Sequence, residues 1–302
     1  MTAITLAPPA KVNLYLAVHE RQPDGYHRLT TLFERVALAD TLELRRQPSG
    51  ITLTCDDPTV PTDGRNLVVR AAALFFHASE IRGGVAAHLV KRIPVAGGLG
   101  GGSSDAASTL LGVNTLYDQP LTLPQLVVLG RQLGADVPFF LSEAVLAWGR
   151  GRGDDIEPLA PPRLPLWHVL VNPGEPLLTQ TVYETFDRLG LTPSLPDATL
   201  LPRLVQTGEA ARVAPYLANA LEPAIESSYP AIRHVQHAIT TAGALGVVVS
   251  GSGPTTFGLA TNEAQARAIA ARLQQDQPIW RVFVTRTALA PRPTEAPVRG
   301  DA

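Results

Sequence analysis

The sequence carries a single cysteine, Cys55, in 302 residues. One thiol can form no internal disulfide and no thiolate metal cluster. No run of about 18 apolar residues occurs, so no membrane span is expected. The opening MTAITLAPPAKVNLYLAVHE shows no basic stretch leading into an apolar one with a cleavage site, so no export signal is read there and a cytoplasmic location is expected. Charge is sparse and balanced, with 25 Lys and Arg against 27 Asp and Glu. Without a basic excess, neither nucleic acid nor an anionic membrane is expected as a partner. The seven histidines show no HExxH or other short metal spacing. What is left is a globular chain, 45% hydrophobic, long enough for one large domain or two medium ones.

What is present begins with periodicity. Residues 11–18 alternate: Val12, Leu14, Leu16 and Val18 point one way, Lys11, Asn13, Tyr15 and Ala17 the other. This two-residue period predicts a strand with one core face, with Lys11 and Asn13 projecting together. Further strands are expected at 33–46, 50–55, 84–91, 144–148 and 154–159. Helices are expected from Asn66 to Ser79, from Ser103 to Tyr117, and from the Thr122/Gln125 capping box to Leu133. The segment 160–165, APPRLP, reads as a domain boundary. Beyond it come a strand at 166–172, helices at 180–189, 198–206, 209–215, 219–227 and 230–242, strands at 245–250 and 255–260, a helix capped by Asn262, and a strand at 279–285. This is a split β-α-β pattern with inserted helices. From Arg286 onward a tail rich in Pro, Ala and charge is expected to be disordered.

The most informative stretch runs from Pro94, Val95 and Ala96 through Gly97, Gly98, Leu99, Gly100, Gly101 and Gly102 to Ser103, Ser104 and Asp105. Five glycines among residues 97–102 would weaken an ordinary element. Their benefit is positive φ and close backbone approach. A loop of this kind feeding a helix collects exposed N–H groups and the positive end of a helix dipole, which together make a cradle for a di- or triphosphate. Ser103 and Ser104 can donate hydroxyl hydrogen bonds or help hold Mg²⁺ and its waters. The loop is not a Walker A sequence, because no GK[ST] ends it. It is not a dinucleotide fingerprint either, because no GxGxxG opens the helix in register.

With these residues in view, PVAGGLGGGSSDAA resembles the phosphate loop of the galactokinase–homoserine kinase–mevalonate kinase–phosphomevalonate kinase (GHMP) superfamily. PAKVNLYL at 9–16, PDGYHRLTTLF at 23–33, LGADVPFFL at 133–141 and SGSGPTTF at 250–257 narrow the resemblance. It points to the branch that phosphorylates the 2-hydroxyl of 4-diphosphocytidyl-2-C-methyl-D-erythritol with ATP, in non-mevalonate isoprenoid precursor biosynthesis. The likeness spans about residues 8–285. It implies an α+β, two-domain fold. Residues 1–162 would form a ribosomal-protein-S5-like domain, and 163–285 a ferredoxin-like domain with inserted helices that completes the cleft. The implied partner is a small-molecule cytidyl diphosphate, with the protein a monomer or homodimer. Mg²⁺ is expected to arrive with ATP, and no protein metal ligand is assigned.

The same resemblance gives roles to residues. Asp136 becomes the catalytic base, although by itself an aspartate after a turn reads as a helix cap. Lys11 is placed beside it to keep the carboxylate ionised, and Asn13 to bond Asp136 and the substrate. Tyr26 is to stack on the cytosine, His27 to bond its polar edge, and Tyr183 to supply a second ring. Thr179 is to touch the methylerythritol part or a nearby phosphate. Where relatives often carry a serine just before it, this chain has Leu178. Gly251, Ser252 and Gly253 are to turn backbone N–H groups toward the substrate phosphates. Asn66 has two readings, a helix cap or a residue near the adenine, and Asp105 is either a cap or near the metal. Among competing readings, a homoserine or mevalonate kinase is disfavoured by PDGYH taken with Lys11 and Asp136. A non-catalytic nucleotide-binding protein is disfavoured by the intact Lys11, Asn13, Asp136 and loop.

Overall fold

The computed structural model describes residues 2–289. Three sheets divide the chain. The first orders β1 (Ala3–Leu6), β4 (Thr41–Gln47), β6 (Gly84–Val90) and β5 (Gly50–Cys55). Helices α1 (Leu67–Ser79), α2 (Gly101–Leu116), α3 (Leu123–Leu133) and α4 (Val137–Leu141) share a core with it, in which Leu42, Leu44, Phe75, Leu110, Val113 and Phe139 are buried. The second sheet orders β10 (Ala218–Asn219), β2 (Pro9–Arg21), β3 (His27–Ala39), β7 (Leu146–Gly151) and β8 (Asp155–Leu159). The third is wholly antiparallel, in the order β11 (Leu245–Val249), β12 (Thr256–Ala260), β9 (Trp167–Asn172), β13 (Arg281–Arg286). Between β9 and β11 lie α5 (Thr179–Leu189), α6 (Leu201–Thr207), α7 (Ala210–Val213), α8 (Glu222–Ser228) and α9 (Ile232–Thr241), and α10 (Glu263–Asp276) joins β12 to β13. This strand order is that of a split β-α-β sheet with helices inserted in its first crossover. Among the described residues no helix is long and apolar enough to cross a membrane.

Several local expectations hold for stated reasons. Asn66 caps α1, its side chain accepting from Val68 N–H at 2.9 Å. Thr122 opens α3, and its N–H donates to Gln125 Oε1 at 2.8 Å. Asn262 caps α10 through Gln265 N–H.

The structure corrects other expectations. β2 does not have one core face, because residues 9–17 are buried on both sides. Its register slips between Asn13 and Tyr15, and such a bulge resets the alternation. Tyr15 and Ala17 therefore join Val12 and Leu14 in one cluster, while Leu16 joins another. Lys11 and Asn13 precede the slip and keep their common face. The strand expected at 33–46 is two strands that break at Asp40. The buried Asp40 carboxylate accepts the N–H groups of Arg92 and Ile93 at 2.6 and 2.8 Å. α2 begins at Gly101 rather than Ser103, because Gly100 takes a left-handed φ of 69° as its cap. Asn219 lies in β10 and not in a helix. The four residues of β1 are too few for a period to show.

The segment 160–165 joins β8 to β9, which belong to different sheets. The later chain nevertheless returns to the first half. β10 pairs in parallel with β2, α6 and α7 bury Leu201, Val205 and Val213 against Val12 and Leu14, and Thr287 bridges to Val36. The tail expected to be disordered from Arg286 is ordered at its start. Arg286 ends β13, and Ala288 N–H donates to Arg35 O at 2.9 Å. Residues 290–302 of that tail lie outside the described residues.

Thr287 closes the seam between the halves. Its hydroxyl donates to Glu34 Oε1 and accepts Leu166 N–H at 2.9 Å, with Glu34 wholly buried and His168 Nε2 3.1 Å from its other oxygen. Thr287→Val keeps the volume and removes both bonds. It is expected to cost about 1–3 kcal/mol, the penalty for an unsatisfied buried group, read as a lower urea midpoint. A midpoint equal to the parent would show that the seam does not depend on this hydroxyl.

Candidate active site

A cavity of about 650 Å³ opens between the two halves. Its walls bring together Lys11, Asn13, Tyr26, His27, Ser103, Asp136, Thr179, Tyr183, Gly251 and Ser252. These residues come from β2, the β2–β3 turn, β3, the start of α2, the turn before α4, α5 and the β11–β12 connection. A second groove, of about 750 Å³, lies over β13 and α10 and includes none of them.

At the inner end Lys11 is buried. Its Nζ donates to Asn13 Oδ1 at 2.6 Å and to Gly98 O at 2.8 Å, and lies 3.7 Å from Asp136 Oδ2. Burial pushes the Lys11 ammonium below its ordinary value, and the Asp136 charge pulls it back. Asn13 is held in turn by Thr31, which accepts from its Nδ2 at 2.8 Å and donates to Tyr15 O. Asp136 precedes α4 with helical backbone angles, and its carboxylate makes no capping bond. One third of that side chain is exposed, toward the cavity. The carboxylate is therefore free for a substrate while a fixed cation stands beside it. Asn13 meets Lys11 and Thr31 rather than Asp136.

The glycine loop is pinned from below. Leu99 O accepts Lys11 N–H, Gly98 O accepts from Lys11 Nζ and Ser250 Oγ, and Gly97 O accepts Thr255 N–H. Three successive carbonyls are thus occupied by protein donors, whereas among the described residues the loop N–H groups of 97–100 have no such acceptor. The first turn of α2 adds N–H groups that no helix can satisfy internally. The result is a donor-rich concavity suited to phosphate. Gly98 is required by space as well as by its φ of 76°, because a Cβ there would lie 2.1 Å from Ser250 O. Gly251 faces the same centre, and a Cβ on it would meet Asn13 Oδ1, Gly98 O and Lys11 Nζ, each at 3.3 Å. Asn219 holds that turn, donating from Nδ2 to Val249 O and Gly251 O.

At the outer end Tyr26 is half exposed, with the Arg152 guanidinium 3.5 Å from its ring centroid. His27 is buried, and its ring stacks on Tyr183 at 5.5 Å. Burial, followed by the charge of Asp136, raises the Tyr183 phenol, which stays protonated. The Thr179 and Ser252 hydroxyls share a hydrogen bond of 2.8 Å. Leu178, in the position noted from the sequence, is exposed.

Three expectations about the nucleotide side change. The Asn66 carboxamide is engaged at both ends, by Val68 N–H and by Pro61 O, so of its two readings the structure displays the cap. Ser104 is wholly buried, and its hydroxyl has no partner among the described residues, so of the two serines only Ser103 reaches the cavity. Asp105 neither caps α2 nor faces the cavity. It is buried against Lys91 Nζ at 2.9 Å, and Lys91 also pairs with Asp40. Sequence reasoning missed Thr31, Arg152, Asp187, Asn219 and Ser250. Ser250 alone carried a signal, since it opens the SGSG motif.

Known proteins resemble this chain along most of its length. Residues 66–144 match the family described as GHMP kinases N terminal domain, and residues 198–278 match GHMP kinases C terminal. The chain is 41% identical over 285 residues to the 4-diphosphocytidyl-2-C-methyl-D-erythritol kinase of Pelotomaculum thermopropionicum, covering 94% of this chain and 98% of that one. It is 40% identical over 295 residues to the kinase of that name from Gloeobacter violaceus, covering 96% of each. A crystal structure of 4-(cytidine 5'-diphospho)-2C-methyl-D-erythritol kinase superposes with a TM-score of 0.79 at 38% identity, over 94% of this chain and 98% of that one. A homoserine kinase from Cytophaga hutchinsonii shares the fold, with a TM-score of 0.71 at 19% identity over 97% of each chain. The two-domain α+β architecture expected from the sequence is thereby shown.

The Lys91 cluster yields a pH prediction. Burial raises the Asp105 carboxyl to about 7; Lys91 lowers it and Asp40 raises it again. A group that holds its proton more tightly when folded stabilises the fold below its unfolded value near 3.8, and that contribution is lost as pH rises through about 7. Asp105→Asn removes the titration. The stability difference, parent minus variant, is expected to fall between pH 4 and 7 and to level off above. Parallel stability curves for the two proteins across this window would contradict the assignment.

Proposed function

This chain belongs to the 4-diphosphocytidyl-2-C-methyl-D-erythritol kinase family of GHMP kinases, and from that premise we propose that it transfers the terminal phosphate of ATP to the 2-hydroxyl of that cytidyl alcohol, in the non-mevalonate route to isoprenoid precursors. The observation that carries the proposal is the Lys11–Asp136 pair at 3.7 Å, set in one cavity with the start of α2 on one side and Tyr26, His27 and Tyr183 on the other.

In this reading Asp136 accepts the proton of the acceptor hydroxyl as the new oxygen–phosphorus bond forms. An ordinary carboxylate is a weak base toward an alcohol, so the transfer comes late, and placement with charge neutralisation does most of the work. Lys11 fixes the carboxylate and offsets charge on the attacking oxygen. The N–H groups of residues 97–102 and the first turn of α2 bind the ATP phosphates. Gly251, Ser252, Gly253 and Thr179 line the path of the substrate diphosphate. Tyr26, Tyr183 and His27 bind the cytosine, where stacking contributes about 1–3 kcal/mol.

Mg²⁺ would arrive with the nucleotide and would supply positive charge to its phosphates. Among the described residues no group of three or more His, Cys, Asp or Glu could cage a metal. This donor set fits an ion that keeps its phosphate and water ligands, with the Ser103 hydroxyl suited to hold one of those waters.

The test offers ATP with 4-diphosphocytidyl-2-C-methyl-D-erythritol, homoserine or mevalonate to the parent protein and to Asp136→Asn. Phosphorylation of the cytidyl substrate alone is expected. Asp136→Asn should lower kcat by about 10²–10⁴-fold with the KM for ATP little changed. Turnover of homoserine or mevalonate instead would return Tyr26, His27 and Tyr183 to loop structure. ATP binding without turnover of any acceptor would leave a nucleotide-binding protein.

A further inference from the structure

Asp187 lies outside every motif that marks the chemistry, yet it lines the outer end of the cavity. It stands four residues after Tyr183 in α5, so the two side chains share one face of that helix. That face meets His27. Tyr183 lies on the imidazole plane, Phe186 meets the ring at 5.9 Å and 84°, and Asp187 Oδ1 is 2.8 Å from Nε2. The other Asp187 oxygen is 3.5 Å from Arg21 Nη1, and Arg21 Nε donates to Gly25 O at 3.0 Å. One carboxylate on the C-terminal side thus holds both flanks of the turn that presents Tyr26 and His27.

The consequence is chemical. A carboxylate beside Nε2 favours the proton on that nitrogen, and in the neutral ring Nδ1 is then a lone-pair acceptor. Nδ1 makes no hydrogen bond among the described residues, and the His27 ring lines the cavity. An acceptor there suits the exocyclic amine of a 4-aminopyrimidine and opposes the carbonyl oxygen of a 4-oxopyrimidine.

We propose that Asp187 is a positioning residue that fixes the tautomer and tilt of His27, and that through His27 it makes the pocket prefer a 4-aminopyrimidine nucleotide to its 4-oxo counterpart. The proposal rests on the functional reading above and deepens it.

The test compares the parent with Asp187→Ala and Asp187→Asn, the latter keeping an acceptor oxygen. Three quantities are read: kinetics on the cytidyl substrate, binding of CDP and of UDP without turnover, and the ¹⁵N resonances of His27. Asp187→Ala should raise the KM for the cytidyl substrate by about 10–100-fold, the range seen when a metal-bound histidine loses the carboxylate that orients it. Its kcat and its KM for ATP should stay near the parent values. Its preference for CDP over UDP should shrink toward parity, and the His27 resonances should leave the Nε2–H pattern. Asp187→Asn should restore most of the preference. An unchanged KM and an unchanged CDP preference in Asp187→Ala would overturn the proposal. So would an equal loss of kcat, ATP affinity and melting temperature with the preference intact, which marks a purely structural residue. A parent protein that binds CDP selectively through Asp187 but does not phosphorylate the cytidyl substrate would defeat the functional reading and leave the role of Asp187 standing.

Discussion

The buried ammonium of Lys11 is the constraint on which the rest of the site depends. A cation withdrawn from water is costly unless surrounded by oxygens. Here the Asn13 and Gly98 oxygens accept its hydrogen bonds, and the Asp136 carboxylate stands within ion-pair distance. Each of these comes from a different part of the chain. Satisfying one charge therefore sets the position of the glycine loop, of the polar face of β2, and of the carboxylate before α4. The Ser250 hydroxyl, shared with Gly98 O and with Asn13 N–H, extends the same constraint to the C-terminal half.

β3 carries a second pair of buried charges on neighbouring residues, and they do different work. Glu34 turns toward the seam, where Thr287 and His168 meet it. Arg35 turns the other way, 3.4 Å from the carbonyls of Phe139 and Phe140 and against the Phe139 ring. Burial pulls the Arg35 guanidinium down to about 10, so it still carries its charge at neutral pH. A cation at the C-terminal end of α4 suits the helix dipole, and it anchors the helix whose other end presents Asp136. One strand alternation thus fastens the domains to each other on one side and steadies the turn that carries Asp136 on the other.

The glycine loop shows how protein bonding limits what a surface can offer. Donors from Lys11, Ser250 and Thr255 take up the carbonyls of residues 97–99. What remains on offer is N–H, so an anion is welcome and a cation is not. The Lys91–Asp40–Asp105 cluster sits behind the same helix start, where a Cβ on Gly101 would lie 3.3 Å from Lys91 Nζ. Its charges are turned inward on each other, so they brace α2 from behind the loop.

Much of this was legible in the sequence where the signal is local. The common face of Lys11 and Asn13 follows from a two-residue period, the caps at Asn66, Thr122 and Asn262 from side-chain type, and a loop rich in free N–H groups from glycines feeding a helix. Resemblance to a family added the partnership of Lys11 with Asp136. The sequence did not reveal the slip in β2 after Asn13, because alternation read along one strand carries no record of its partner's register. Nor did it reveal that Ser104 and Asp105 face inward while Ser103 faces the cavity, since a helix's orientation is set by what packs against it. Asp187, Thr31, Asn219 and Arg35 were missed for one reason: each acts on a residue far away in sequence, and its type and neighbours look ordinary. Periodicity, steric need and capping are properties of a few consecutive residues and so were determined by the sequence alone. Which distant carboxylate meets which buried cation was decided only when the halves closed on each other, because the cost of burying a charge is met by whatever group the fold brings within about 3–4 Å.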